Sequence, residues 1–287
     1  MEHDEFYRTP TSRLASVLKR WRDRARHLPA LEEIRGMVVP ADAISILPDP
    51  VAYRETLLAQ IASARKRILI AALYLQDDDA GREILAALYA ARAAHPEIEI
   101  AVFVDWHRAQ RGLIGKKKSA GNAALYRAEA ERLGPGVTVY GVPVQRRELL
   151  GVLHLKGFVF DDTVLYSGAS LNDVYLQRHG RYRLDRYHLI QHRELADCMA
   201  RLLTETIAPH PAVHALDKPD TPATARLKPA IADLRRTLAA ARYRFNAATP
   251  ADSDVSITPL IGLGLRHNEL NRVLLQLVLQ ARKQLTL

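Results

Sequence analysis

Cysteine is nearly absent from this chain, Cys198 being the only one. A single thiol excludes an intrachain disulfide and any all-cysteine metal site, which fits a reducing compartment. Long apolar runs are missing as well. The run from Ile68 to Leu75 is typical of the longest, far short of the about 20 residues that cross a bilayer. Met1 to Arg8 is charged and lacks the apolar stretch of a secretory signal. No GxxxxGK(S/T), HExxH or nucleophile-elbow pattern occurs, which removes three common routes to phosphate binding and hydrolysis. Acidic residues are also short, 32 against 41 Lys and Arg, for a net charge of +9 over 287 residues. A basic surface attracts polyanions, and charge alone does not choose between nucleic acid and an anionic membrane. With 48% hydrophobic residues the chain can fill one large core or two modest ones. It reads as soluble or peripheral.

What is present begins with a basic helix over Ser12 to Leu28. Leu14, Val17, Leu18, Trp21, Ala25 and Leu28 recur at helical spacing, while Arg13, Lys19, Arg20, Arg22, Arg24 and Arg26 cover much of the rest. Such a helix can lie in an anionic membrane interface or pack on its own domain with a solvated basic face. From Ile44 onward strands and helices alternate. Strands are predicted at Ile44 to Leu47, Arg67 to Leu75, Ile98 to Val104, Val137 to Val142 and Tyr187 to Gln191. Helices are predicted at Val51 to Lys66, Ala80 to Ala94, Ala120 to Leu133 and Glu194 to Ile207. Two β-rich runs, Val152 to Phe160 and Val164 to Ser167, flank an Asp161-Asp162 turn. The pattern predicts an α/β fold with a parallel or mixed sheet flanked by helices. A Pro- and charge-rich stretch, Pro209 to Pro229, reads as a linker into a polar helix around Ile231 to Arg244.

The chain also resembles itself. Leu57 to Ile70 aligns without a gap to Leu274 to Leu287, and Ile44-Ser45-Ile46-Leu47-Pro48 matches Val255-Ser256-Ile257-Thr258-Pro259. The expected organisation is an extension over 1–36, a first repeat over 37–208, a linker and polar helix over 209–250, and the opening of a second repeat over 251–287. On this expectation the chain stops inside a strand of that second copy.

The chemistry concentrates at His154-Leu155-Lys156. Side chains two apart on an extended strand point to the same face, so His154 and Lys156 are expected to project into one space. A Lys beside a His on an apolar strand calls for an anion, and a phosphate group suits both. Asp161 and the loop Ser167-Gly168-Ala169-Ser170-Leu171-Asn172 follow. A second candidate region, Asp105, His107, Arg108 and Arg111, follows a strand where α/β ligand loops often sit, and reads as a nucleotide or pyrophosphate site or as a salt-bridged loop. Asp77, Asp78 and Asp79 read as the acidic start of a helix. Lys116, Lys117 and Lys118 read as a basic loop, facing anionic lipid or simply solvated.

His154-x-Lys156-x-x-x-x-Asp161 with Gly168 downstream resembles the HxKxxxxD signature of the phospholipase D superfamily. The segments Ala72 to Leu75, Asp77 to Asp79, Val104 to Gly112, Tyr140 to Pro143, Gly151 to His154 and Asp185 to His188 are similar to the Gram-negative phosphatidylserine synthases, so that the resemblance covers about residues 38 to 287. It implies a phospholipase D-like fold, the first of two repeats, and transfer of the phosphatidyl group of CDP-diacylglycerol to L-serine with release of CMP. It implies His154 as nucleophile, Lys156 as phosphoryl clamp, Asp185 as the carboxylate that orients the histidine, and Asp161 as a motif residue in a turn with a structural part. Asn172 comes one residue later than in most of the superfamily, so the phosphate-contacting place falls to Ser170 or Asn172. Binding at Asp105, His107, Arg108, Arg111 and Gly168 is implied too.

No cofactor and no metal are implied. A histidine outside the chain, in a carboxy-terminal half or a second copy, would protonate the leaving group. The expected location is the cytoplasmic face of the inner membrane, with an anionic membrane surface as partner. The alternatives are a cardiolipin synthase, a phospholipase D, or a single-motif nuclease working as a homodimer. The Asp105 to Gly112 and Tyr140 to Pro143 segments argue against nucleic acid.

Overall fold

The computed structural model describes residues 34–111, 121–145, 152–262, 268–281 and 283–284. The basic helix expected at Ser12 to Leu28 and the Lys116 to Lys118 loop lie outside them. An eight-stranded sheet is built from β2 (Ile44–Leu47), β3 (Arg67–Ala71), β4 (Glu99–Asp105), β5 (Thr138–Val142), β6 (Gly157–Phe160), β7 (Thr163–Ser167), β8 (Tyr187–Gln191) and β9 (His214–Ala215), in the order β2-β8-β7-β6-β3-β4-β5-β9. β3, β4 and β5 are parallel, and the β6-to-β8 meander continues antiparallel from β3. The mixed sheet is the one the alternation predicted. β4 is buried along six of its seven residues, as a strand covered on both faces requires.

Helices α1 (Pro50–Ser63), α2 (Asp79–Ala94), α4 (Asn122–Leu133) and α5 (Arg193–Arg201) fall where periodicity put them. α1 starts where Asp49 accepts the Ala52 N–H at 2.8 Å and Pro50 fills a position that needs no donor. Tyr53, Leu57 and Ile61 then recur every four residues and are buried. α5 ends six residues sooner than expected, because Leu202–Ile207 widens into a π-helical segment. A short α3 (Trp106–Gln110) was not anticipated, being only five residues long. Within the stretch read as a linker, β9 pairs with β5, and α6 (Lys228–Ala240) sends Ile231, Leu234 and Leu238 into the main core.

The two stretches that align within the sequence each hold a strand followed by a helix. β10 (Asp254–Ile257) and α7 (Glu269–Gln280) stand at the places aligned with β2 and α1. α1 ends at Ser63 and α7 at Gln280, which are aligned residues. The surroundings differ. β10 pairs with β1 (Met37–Pro40) in a separate two-stranded sheet. Leu57 and Ile61 are buried, whereas their counterparts Leu274 and Val278 are exposed.

One strand begins later than predicted. Residues 152–156 are extended without ladder partners, and β6 starts only at Gly157, whose φ of 117° few other residues adopt. A Cβ there would lie 2.3 Å from Cε of Met199, so glycine also lets α5 press on the sheet. Burial still alternates through the segment, with Leu153 and Leu155 inward and His154 and Lys156 on the opposite side. The period-two argument therefore survives the loss of the strand.

Candidate active site

Topology brings the motif to the carboxyl ends of the parallel strands, where open α/β sheets place their ligands. β6 runs antiparallel to β3 with Gly157 opposite Ala71, so the residues before Gly157 lie beside those that follow β3. Leu75 bridges to Leu171, and the Gln76 N–H donates to the Leu171 carbonyl at 2.9 Å, drawing the loop after β7 to the same end. His154 and Lys156 line one cavity of about 520 Å³, walled by Val164, Tyr166, Ile190, Met199 and Tyr243 and closed by residues 257–262. The imidazole of His154 is exposed and has no hydrogen-bond partner among the described residues.

Lys156 is held from behind. Its Nζ donates to Oγ of the buried Ser170 at 2.9 Å and to the Ala169 carbonyl at 3.3 Å. Burial lowers its pKa to about 8, against the upward pull of the Asp185 carboxylate. Gly168 makes room for that carboxylate, since a Cβ at 168 would lie 2.7 Å from Asp185 Oδ2. His154, Lys156, Gly168, Ser170 and Asp185 thus form one group. Asp185 accepts the Arg186 N–H at 2.7 Å and makes no hydrogen bond to His154 among the described residues.

Ser170 and Asn172, alternatives in the sequence, have separate places. Ser170 stands with Lys156, while Asn172 accepts the Tyr175 N–H at 3.0 Å and donates to the Tyr74 hydroxyl at 3.3 Å. Arg108 lies 5.0 Å over the Tyr74 ring, so it joins the edge of the same loop. Tyr74 was not singled out as a site residue. Its signal was a polar tip just past a buried strand.

Four other expected site residues bond to the protein's own backbone. Asp105 is 0% exposed; Oδ1 accepts the His107 and Arg108 N–H groups at 3.0 and 2.9 Å, and Oδ2 accepts the Leu153 N–H at 2.9 Å. Both its oxygens are engaged by backbone donors, and it fixes the residue next to His154. His107 bonds the Gln145 carbonyl through Nε2 at 2.8 Å, and Arg111 caps α3 with its N–H on the His107 carbonyl. Asp161 sits at φ 49° in the β6–β7 turn and accepts the Arg65, Lys66 and Arg67 N–H groups at 2.7 to 3.0 Å. It is not among the residues of the cavity wall.

Asp78 caps α2 through the Gly81 N–H at 2.9 Å, as the acidic run suggested, and also takes the Asp173 N–H at 3.0 Å. Asp79, Asp173 and His179 bring ligand atoms within 4.8 Å of one another. An Asp79–His179 contact of 2.7 Å and an Asp173 bond to the Ala80 N–H account for that cluster without an ion.

Residues 57–199 match the family described as cardiolipin synthase, PLD-like domain. The CDP-diacylglycerol–serine O-phosphatidyltransferase of Escherichia coli (strain K12) is 46% identical over 266 residues, 92% of this chain and 58% of that protein. The crystal structure of the phosphatidylserine synthase of Haemophilus influenzae superposes with a TM-score of 0.78 at 38% identity, again over 92% of this chain and 58% of the other. A mitochondrial CDP-diacylglycerol–glycerol-3-phosphate 3-phosphatidyltransferase from Gallus gallus is 27% identical over 59% of this chain and 33% of its own. The chain therefore spans little more than half the length of the bacterial relatives it matches.

Proposed function

We infer that this chain, which belongs to the phospholipase D superfamily, carries the nucleophilic half of an active site that moves a phosphatidyl group from CDP-diacylglycerol to L-serine. The observation that carries the reading is the single cavity that holds an unencumbered imidazole, His154, and a desolvated ammonium, Lys156, against a largely apolar wall. A phosphodiester bearing two acyl chains needs both kinds of surface.

In the proposed first step a ring nitrogen of His154 donates its lone pair to phosphorus, and the bond to the CMP oxygen breaks. The product is a phosphatidyl-histidine, and CMP takes a proton from an acid outside this motif. Lys156 neutralises the non-bridging oxygens in a site that excludes much water, where such a charge counts for more than in solution. In the second step the serine hydroxyl attacks phosphorus, the P–N bond breaks, and the hydroxyl proton leaves to that same outside group. Ser170 keeps the ammonium aimed at the phosphoryl oxygens, and Asp185 stabilises charge on the lysine side.

Among the described residues no helix is long and apolar enough to cross a membrane. We propose on the strength of the lipid substrate that the protein works peripherally, on the cytoplasmic face of an anionic bilayer. No cofactor enters the scheme.

The test is acid-labile label on His154. Incubation with CDP-diacylglycerol carrying a radiolabelled phosphatidyl phosphate, in detergent micelles, is expected to label the wild-type chain and leave His154→Ala unlabelled but folded. Label retained in a folded His154→Ala chain would remove His154 from the chemistry.

A further inference from the structure

Beside the cavity, residues 180–186 lead from the loop after β7 into β8. Tyr182 is 54% exposed and Leu184 67%, separated by a single residue. Arg181, Arg183 and Arg186 stand around them, all exposed. The segment's one acid, Asp185, is turned inward against Gly168, so the outer surface carries only positive charge. Scattered apolar side chains on a surface are ordinary. Two in seven residues, framed by three arginines and tied through Asp185 to Gly168 and the Lys156 side of the cavity, form a surface of a particular kind.

The segment is also anchored at both ends. Upstream, Arg178 pairs with Glu83 at 3.6 Å and His179 with Asp79 at 2.7 Å, and Gln177, His179 and Gly180 turn the chain through positive φ values of 49°, 56° and 70°. The Arg183 N–H donates to the Val174 carbonyl at 3.1 Å. Downstream, the Asp185 N–H donates to the Tyr187 hydroxyl at 3.2 Å. Side chains held outward on such a stem lose little freedom on contact, which favours docking.

We propose that residues 181–186 are a membrane-contact rim. Tyr182 and Leu184 enter the boundary between headgroups and acyl chains, and Arg181, Arg183 and Arg186 meet lipid phosphates. The proposal rests on the lipid-substrate reading above and adds where the bilayer lies. Asp185, in the same segment, lies against Gly168 and within electrostatic reach of Lys156, so docking brings the Lys156 side of the cavity toward the membrane. A lipid can then reach His154 without crossing open water.

The full 287-residue chain should be sedimented with vesicles of phosphatidylcholine alone and of phosphatidylcholine rich in phosphatidylglycerol. Wild type is expected to prefer the anionic vesicles. Tyr182→Ser/Leu184→Ser and Arg181→Glu/Arg183→Glu should each lower that partitioning by about tenfold or more. Leu274→Ser/Leu277→Ser on α7, which also removes exposed apolar surface, should leave it unchanged. A polarity-sensitive dye on Tyr182→Cys should shift to the blue on anionic vesicles, a readout that depends on no loss of folding. Unchanged partitioning of both loop variants, or no dye shift, overturns the proposal. So does a change in self-association, seen by mass in solution, in place of vesicle binding.

Micellar labelling of His154 separates this from the parent reading. If wild type is labelled and the loop variants still bind vesicles, the rim is wrong and the transferase reading stands. If wild type is never labelled but loop variants lose vesicle binding, the reverse holds.

Discussion

An ammonium group at a partly dry wall gives up its proton more readily than one in water, and this sets the working range of Lys156. Burial has moved it from the ordinary lysine value to about 8. Below that pH it is charged and can neutralise a phosphodiester; above it the clamp is lost. The rate of His154 labelling should therefore fall as pH rises through about 8, well before an ordinary lysine would titrate, and Lys156→Arg should carry the fall to higher pH. A labelling rate flat through pH 10 would rule out the lysine's charge as a contributor. Stability moves the other way. The unfolded chain binds the extra proton between about 8 and 10.5, so the cost of burying the charge is felt below that window and disappears above it. The pairing of His154 with Lys156 was legible, because period two is a property of any extended segment, ladder or not. The bond from Asp105 to the Leu153 N–H was not, because a backbone contact between residues 48 positions apart leaves no mark on either side chain.

At the scale of the element, the turn between β6 and β7 binds two parts of the fold together. Asp161 gathers the backbone where α1 gives way to β3, and it does so from a left-handed conformation that Asn tolerates and Ala does not. Burial raises the Asp161 pKa, but its three backbone bonds more than offset this and hold the carboxyl below its usual value. Asp161→Ala is expected to destabilise the protein by about 2 kcal/mol or more, and Asp161→Asn by clearly less, in urea denaturation. If Asp161→Asn instead abolished labelling at unchanged stability, the residue would belong to the chemistry. The late start of β6 follows from Gly157, whose two roles, a positive φ and clearance for Met199, are both contacts that a strand pattern does not encode. The short α3 escaped for a related reason: one turn and a half has no period to read.

For the molecule as a whole, the chain holds one His-x-Lys pair. The serine hydroxyl attacks poorly without a positioned base to take its proton, a group commonly worth about 10²- to 10⁴-fold. Residues 1–287 should accordingly form the phosphoenzyme yet release CMP in the presence of serine more slowly than a full-length relative, by a factor in that range. Serine-dependent turnover equal to the relative's would show that one motif suffices. The class of sheet and the order of its main strands and helices were readable, since both depend on periodicity. What closes the cavity was not, because residues 257–262 follow β10, whose pairing with β1 joins segments more than 200 residues apart.

That pairing joins strands from opposite ends of the described chain, and the pairing of β2 with β8 joins strands far apart in sequence. The β6–β7 hairpin, by contrast, is made of neighbours. Contacts between distant residues are late arrivals when a protein folds and early departures when it breathes. In native-state hydrogen exchange the amides of β1 and β10 should open locally, with little dependence on dilute denaturant, while those of β3 and β4 exchange only through global unfolding. The strand pair that completes the cavity would then open many times for each time the sheet beneath it does, and a long lipid could enter through that seam without the core ever coming apart.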